Sequence, residues 1–221
     1  LAKELLDQNP ENVHDELVEE YLTHLSDTYS IAGEIAETVC NKYPELGVYI
    51  NSKEVALAGG LHDIGRPLRR NQLFHELRGA AYLEEYGLEK GVADSAVDVF
   101  RIAQMFRPHF LVAEQFIDPE NEHEILDFAS LNFELLVPRT WQEAIVVFAE
   151  LSNVRGKRVS IQQRIGDIQQ RYTNDPKYNS NTSLLRAMAA GCSRIIATCN
   201  RVKKLQEGKM SESQIFRYGF I

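Results

Sequence analysis

Apolar residues recur at intervals of three and four along most of the chain, and runs that alternate every second residue are scarce. That period belongs to helices with one buried face, so an all-α fold is expected. Residues 14–43 show it through Leu17, Val18, Tyr21, Leu25, Ile31, Ile35 and Val39. Ser52 predicts an N-cap for a helix through Val55, Leu57 and Leu61 that stops at Gly65 and Pro67. "FHELRGAAYLEEYG" predicts a helix ending at Gly87, and another helix is expected over 91–106, before Pro108. Thr140 with Glu143, and Ser160 with Gln163, have capping-box spacing ahead of helices over 141–152 and 161–172. A long last helix is expected over 183–207, ending at Gly208. Residues 107–139 are the least regular stretch, where a lid or an insertion would sit. One domain over residues 1–221 is the simplest organisation.

Charge narrows the function classes. With a net charge of −8, the chain lacks the accumulated positive charge that nucleic-acid binding or an anionic membrane surface would need. No stretch approaches the ~18 uninterrupted apolar residues of a membrane span. The charged opening "LAKELLDQNPEN" does not read as a signal peptide. Cys40, Cys192 and Cys199 lack CxxC spacing and are expected as buried thiols in a reducing cytoplasm.

The stretch "LAGGLHDIGRP" carries His62 and Asp63 behind a run of small and apolar residues. A buried carboxylate costs several kcal/mol unless its charge is compensated. Neighbouring helical positions diverge by about 100°, close to the angle between cis ligands of an octahedral ion. A divalent metal ion would use both residues and would demand further O or N donors from other helices. His24 supplies one, with Ala32 and Ala36 forming a small-residue seam along its helix. Glu150, inside the apolar "VVFAELSN", supplies another, and Asn153 is the fallback. Arg66, Arg69 and Arg70 follow at once in "RPLRR" and are candidates to hold a phosphate, with Lys157, Arg158 and Arg164 as weaker candidates of the same kind.

The order His24, then His62-Asp63 after 37 residues, then Glu150 after 86 more resembles the H…HD…D signature of the HD-domain metal-dependent phosphohydrolase superfamily. "GGLHDIGRP" is similar to its HDIG element, and "HELRGAAYL" from His75 resembles the H-x3-G-A-x-x-L segment that follows. "FAELSNVRGKRVSIQQR" resembles its closing A-D segment with the G-x-x-V-S-x-x-x-R continuation, except that Glu150 stands where the family has aspartate. The resemblance implies an HD-domain-like helical bundle whose metal-site core covers about residues 20–172. It implies one or two divalent ions (Fe, Mn, Mg, Ni or Zn) on His24, His62, Asp63 and Glu150, with His75 and His109 for a second ion. It also implies hydrolysis of a phosphate ester, nucleotide or small phosphorylated metabolite by a metal-activated water, with Asp63, His75 and His109 as the catalytic residues. The GYP extension of cyclic-dinucleotide phosphodiesterases is absent. Two rivals use the same residues: a di-iron oxygenase, and a degenerate sensor or scaffold domain encouraged by Glu150. His14 and His123 have acidic neighbours and no matching motif, and a homodimer is left open. Removing Asp63 as an uncompensated carboxylate is expected to stabilise the metal-free protein.

Overall fold

The computed structural model describes residues 1–12, 15–69, 73–125, 128, 130–154, 157–174 and 182–217. The fold is all-α. The helices are α1 (Ala2–Gln8), α2 (Asp15–Lys42), α3 (Ser52–Leu61), α4 (His75–Tyr86), α5 (Ala96–Phe106), α6 (Val112–Phe116) and α7 (Glu122–Ile125). They continue with α8 (Trp141–Leu151), α9 (Ile161–Asn174), α10 (Thr182–Gln206) and α11 (Glu212–Arg217). A two-residue hairpin, β1 (Asn153–Val154) antiparallel to β2 (Lys157–Arg158), joins α8 to α9. No described helix is long and apolar enough to cross a membrane.

The expected helices form, with local corrections at their starts. Asn51, not Ser52, caps α3, its side-chain oxygen accepting from the Lys53 and Glu54 backbone N–H groups. The helix expected from residue 91 begins at Ala96, because Gly91 takes a left-handed backbone and Ser95 accepts from Asp98 N–H. Both capping boxes form, at Thr140/Glu143 and at Ser160/Gln163. Of the three free thiols, Cys199 is buried while Cys40 and Cys192 are only half-buried.

One core runs from Leu5 through Ile35, Val55, Ile102, Trp141, Ile145 and Ile195 to Ile215. A satellite cluster of Phe74, Leu77, Val112, Phe128 and Leu136 underlies the irregular segment, which the structure builds from short helices and turns. Arg194 holds Glu114 through Nε and Nη2, and Arg186 holds Asp118, tying this segment to α10.

Three glycines bring the site's backbones together. A Cβ at Gly59 would stand 2.8 Å from Ala32 Cβ and from the Thr28 carbonyl oxygen, so α3 lies directly on the small seam of α2. At Gly65 a Cβ would stand 1.8 Å from the His75 carbonyl oxygen, and at Gly79 it would stand 2.9 Å from Gly65 N. The turn after Asp63 therefore touches the first turn of α4 with no side chain between. Gly65→Ala is expected to destabilise the fold by about 3 kcal/mol, the upper range for overpacking, because backbone rather than a flexible side chain must move. Thermal denaturation checks this, and an unchanged melting temperature would contradict the contact.

Candidate metal centre

His62 and Asp63 stand just past the C-terminus of α3, where the chain leaves the helix in the turn toward Arg66–Leu68. Both are buried, at 0% and 3% exposure. His62 Nδ1 lies 2.6 Å from the Gly59 carbonyl oxygen. A carbonyl only accepts, so Nδ1 carries the proton and Nε2 is left as a bare lone pair. His24, half-buried on α2, brings its Nε2 to 3.1 Å from that atom. Cis donors on an octahedral ion with bonds of ~2.2 Å stand ~3.1 Å apart, so this separation suits shared ligation.

Asp63 is held on all sides. Its Oδ2 accepts from Arg66 Nε at 2.6 Å and lies 3.7 Å from His62 Nε2. Its Oδ1 lies 2.7 Å from His75 Nε2 and 3.7 Å from His109 Nε2. Its backbone carbonyl accepts from the Tyr21 hydroxyl at 3.0 Å. Burial alone would raise the carboxyl pKa, but Arg66, His62 and His75 drive it well below the ordinary value. The expectation that Asp63 is uncompensated is therefore corrected: Arg66, His62 and His75 compensate its charge, so its removal is expected to destabilise the metal-free protein.

Two further histidines join from strained backbone. Phe74 and Phe110 have φ of 55° and 44°, the only left-handed non-glycine residues among those described, and they adjoin His75 and His109 respectively. Such backbone costs about 1–3 kcal/mol and persists where its surroundings impose it. His109 is 2% exposed. Its Nδ1 faces Glu150 Oε2 at 3.1 Å, yet neither atom finds a hydrogen-bond partner among the described residues.

Glu150 lies in the last turn of α8, 5% exposed. Burial first, then the Asp63 charge, push its carboxyl up to about 8, against relief from Arg164 and Arg66. Burial likewise pushes His24 down to about 3 and holds His62 and His109 low, so these rings are neutral at pH 7.

Three donor sets result, each with its atoms within 4.8 Å of one another: His24, His62 and Glu150; His62, Asp63 and His109; His75, Glu76 and His109. The structure thus brings together His24, His62, Asp63, His75, His109 and Glu150. Neutral imidazoles, buried carboxylates and unpartnered oxygens at Glu76 Oε2 and Glu150 Oε2 fit a divalent ion that satisfies them. Glu76, 1% exposed, was missed; its neighbours suggest a charged helix face, yet it is buried in the first turn of α4, just after the αL residue Phe74. Asn153 is fully buried with neither amide atom partnered among the described residues.

The proposed phosphate-holding cations divide. Arg66 stays at the site through Asp63. Arg69 does not: its guanidinium forks onto Glu124 at 2.9 and 3.4 Å, on the surface. Lys157 is exposed on β2, and Arg158 pairs with Glu34. Arg70 and His14 lie outside the described residues, and His123 is exposed on α7. Arg164, a weaker candidate by sequence, is the buried one. No family model, curated protein or solved structure matches this chain.

The pH response of the metal-free protein follows from Glu150. Its native value near 8 stands above its ordinary 4.5, so the native state holds the extra proton. That stability is present below pH 4.5 and is lost as pH rises through 8. Glu150→Gln removes the titration and leaves the histidines and Asp63 common to both proteins. The variant's melting temperature should gain on the wild type between pH 4.5 and 8 and level off above; a difference flat in pH would contradict the buried protonated carboxyl.

Proposed function

We propose that this chain is an HD-type metal-dependent phosphohydrolase acting on a small phosphorylated substrate. The observation that carries the reading is the convergence of four imidazoles and three carboxylates on one buried cluster, with Glu76 Oε2 and Glu150 Oε2 unsatisfied among the described residues. A purely structural cluster of this kind would leave desolvated acceptors that cost several kcal/mol. The resemblance of "GGLHDIGRP" and "HELRGAAYL" to the superfamily's elements supports the same reading.

His24, His62, Asp63 and Glu150 would hold one ion, and His75, Glu76 and His109 a second beside Asp63. When bound, such an ion polarises a phosphoryl oxygen and lowers the pKa of a coordinated water from 15.7 toward ~7. The chain's own residues prepare the site. The Gly59 carbonyl fixes the His62 tautomer, so Nε2 points inward as a lone pair. Arg66 keeps Asp63 ionised at any physiological pH and leaves Oδ1 facing His75 and His109. Glu150, protonated at neutral pH in the metal-free state, must lose its proton to serve as a ligand, so metal uptake at pH 7 releases a proton. Tyr21 pins the backbone at Asp63 from α2.

A second reading, a di-iron oxygenase, rests on the richness in imidazole and on Glu76. It requires bound iron and consumption of dioxygen during turnover, neither of which a hydrolase needs.

Asp63→Ala tests the proposal. The variant should lose bound metal and at least about 100-fold of activity across a panel of phosphate monoesters and nucleotides, as for loss of a central charged ligand. It should also melt lower than the wild type. Full activity in Asp63→Ala, or in wild type stripped of metal, would contradict a metal-dependent hydrolase.

Glu150 has its own test, because the superfamily places aspartate there. If it ligates, Glu150→Asp keeps metal content and Glu150→Gln lowers it, since Gln has the same length without the charge. Equal metal content in Glu150→Gln and wild type would assign Glu150 to orienting His109 instead.

A further inference from the structure

Arg164 lies in the first turn of α9 with its side chain on the inner face, between Ile161, Ile165 and Ile168. It is 9% exposed. Buried arginines are normally paired, and a cation in the first turn of a helix also opposes the helix dipole. Arg164 is poorly paired. Its Nη1 reaches Asp167 Oδ2 at 3.2 Å, but that carboxylate is 41% exposed and is shared with Arg171 Nη2 at 2.9 Å. Its Nε finds no partner among the described residues. Nor does it close on Glu150: the Glu150 Oε2 atom is itself unpartnered and faces His109.

The position of Arg164 matters as much as its lack of partners. Helix α9 packs on α8, which carries Glu150. The charge of Arg164 is felt at both Glu150 and His24, and so is that of Arg66. Two guanidiniums thus act electrostatically on His24 and Glu150, one from α9, which packs on α8, and one from the turn after Asp63. Arg66 is committed to Asp63 through Nε. Arg164 keeps a buried, unused donor. A guanidinium fork matches the oxygens of a tetrahedral oxyanion, and desolvation strengthens that match.

We infer that Arg164 anchors an anion subsite beside the donor cluster and receives the non-bridging oxygens of a substrate phosphate. The inference rests on the proposed metal site for its place in catalysis, but the anion site itself exists without metal. It assigns the substrate's charge recognition to α9 rather than to Arg69 or Lys157, which face elsewhere. Asn153, in β1 just past α8, is fully buried with neither side-chain amide atom partnered among the described residues.

Inorganic phosphate is the probe, titrated calorimetrically into wild type, Arg164→Gln and Arg164→Lys, each with and without Mn²⁺, with bound metal measured in parallel. Loss of charged hydrogen bonds predicts phosphate binding about tenfold or more weaker in Arg164→Gln, in either metal state, with metal content unchanged. Arg164→Lys retains the charge without the fork, so it should fall between the two, and it carries the comparison if the Gln variant does not fold. Phosphate affinity within about twofold of wild type in both variants, or no phosphate binding by wild type in either state, would overturn the subsite. Loss of metal in Arg164→Gln to the extent seen for Glu150→Gln would also overturn it, making Arg164 a structural partner of Glu150. If wild type binds phosphate through Arg164 but holds no metal, the hydrolase reading fails while the subsite stands.

Discussion

The carboxylate of Asp63, ionised inside a helical core, is the constraint around which the rest is arranged. Such a charge is tolerated only where several groups compensate it at once. Arg66 does so through one oxygen, while His75 and His109 face the other. Those contacts need backbones closer than side chains normally allow. Gly65 against the first turn of α4 and Gly59 against α2 provide that closeness. The capped start of α8 and the small seam of α2 then set where Glu150 and His24 arrive. Changing the charge at Asp63 would disturb α2, α4 and the turns that carry His62, Arg66 and His109, because each places a residue on it or on its backbone.

Compensation stops short of completion, and this is what separates the cluster from an ordinary buried ion pair. Arg66 and His75 each meet one oxygen of Asp63, yet Glu76 Oε2 and Glu150 Oε2 stay without hydrogen bonds among the described residues. His62, neutral with its Nε2 lone pair directed inward, adds a donor of the kind a divalent ion takes. Phe74 and Phe110, beside His75 and His109, hold left-handed backbone of the kind that persists only where its surroundings impose it. Repulsion between Glu150 and Asp63, with burial, keeps the former protonated until something positive arrives. The cluster is thus closest to neutral with one proton on Glu150, and an ion would exchange for that proton.

Much of this was legible in the residues. His62, Asp63 and Glu150 sit inside apolar runs, where a polar side chain announces a partner. His24 was legible through the alanines that follow it at helical spacing. Capping boxes at Thr140 and Ser160 located α8 and α9, since their chemistry is local. What was hidden depended on long-range geometry. Arg69 reaches Glu124, 55 residues away, and no local pattern marks that pair. Glu76 looks solvated beside its charged neighbours, and its burial follows from how α4 packs, which no local pattern marks. Arg164 resembles any surface arginine of an amphipathic helix until α9 is seen packed on α8.

The central claim is that these buried donors form a divalent metal site, and locating an ion in crystals tests it most directly. Protein purified without chelator, or reloaded with Mn²⁺, Fe²⁺ or Zn²⁺, would be crystallised and its anomalous scattering mapped. The account predicts a peak within ~2.0–2.6 Å of His62 Nε2 and of an Asp63 carboxylate oxygen, with His24 and Glu150 completing it. A fully ordered cluster with no peak at any of these metals, or a peak bound elsewhere on the chain, would contradict it.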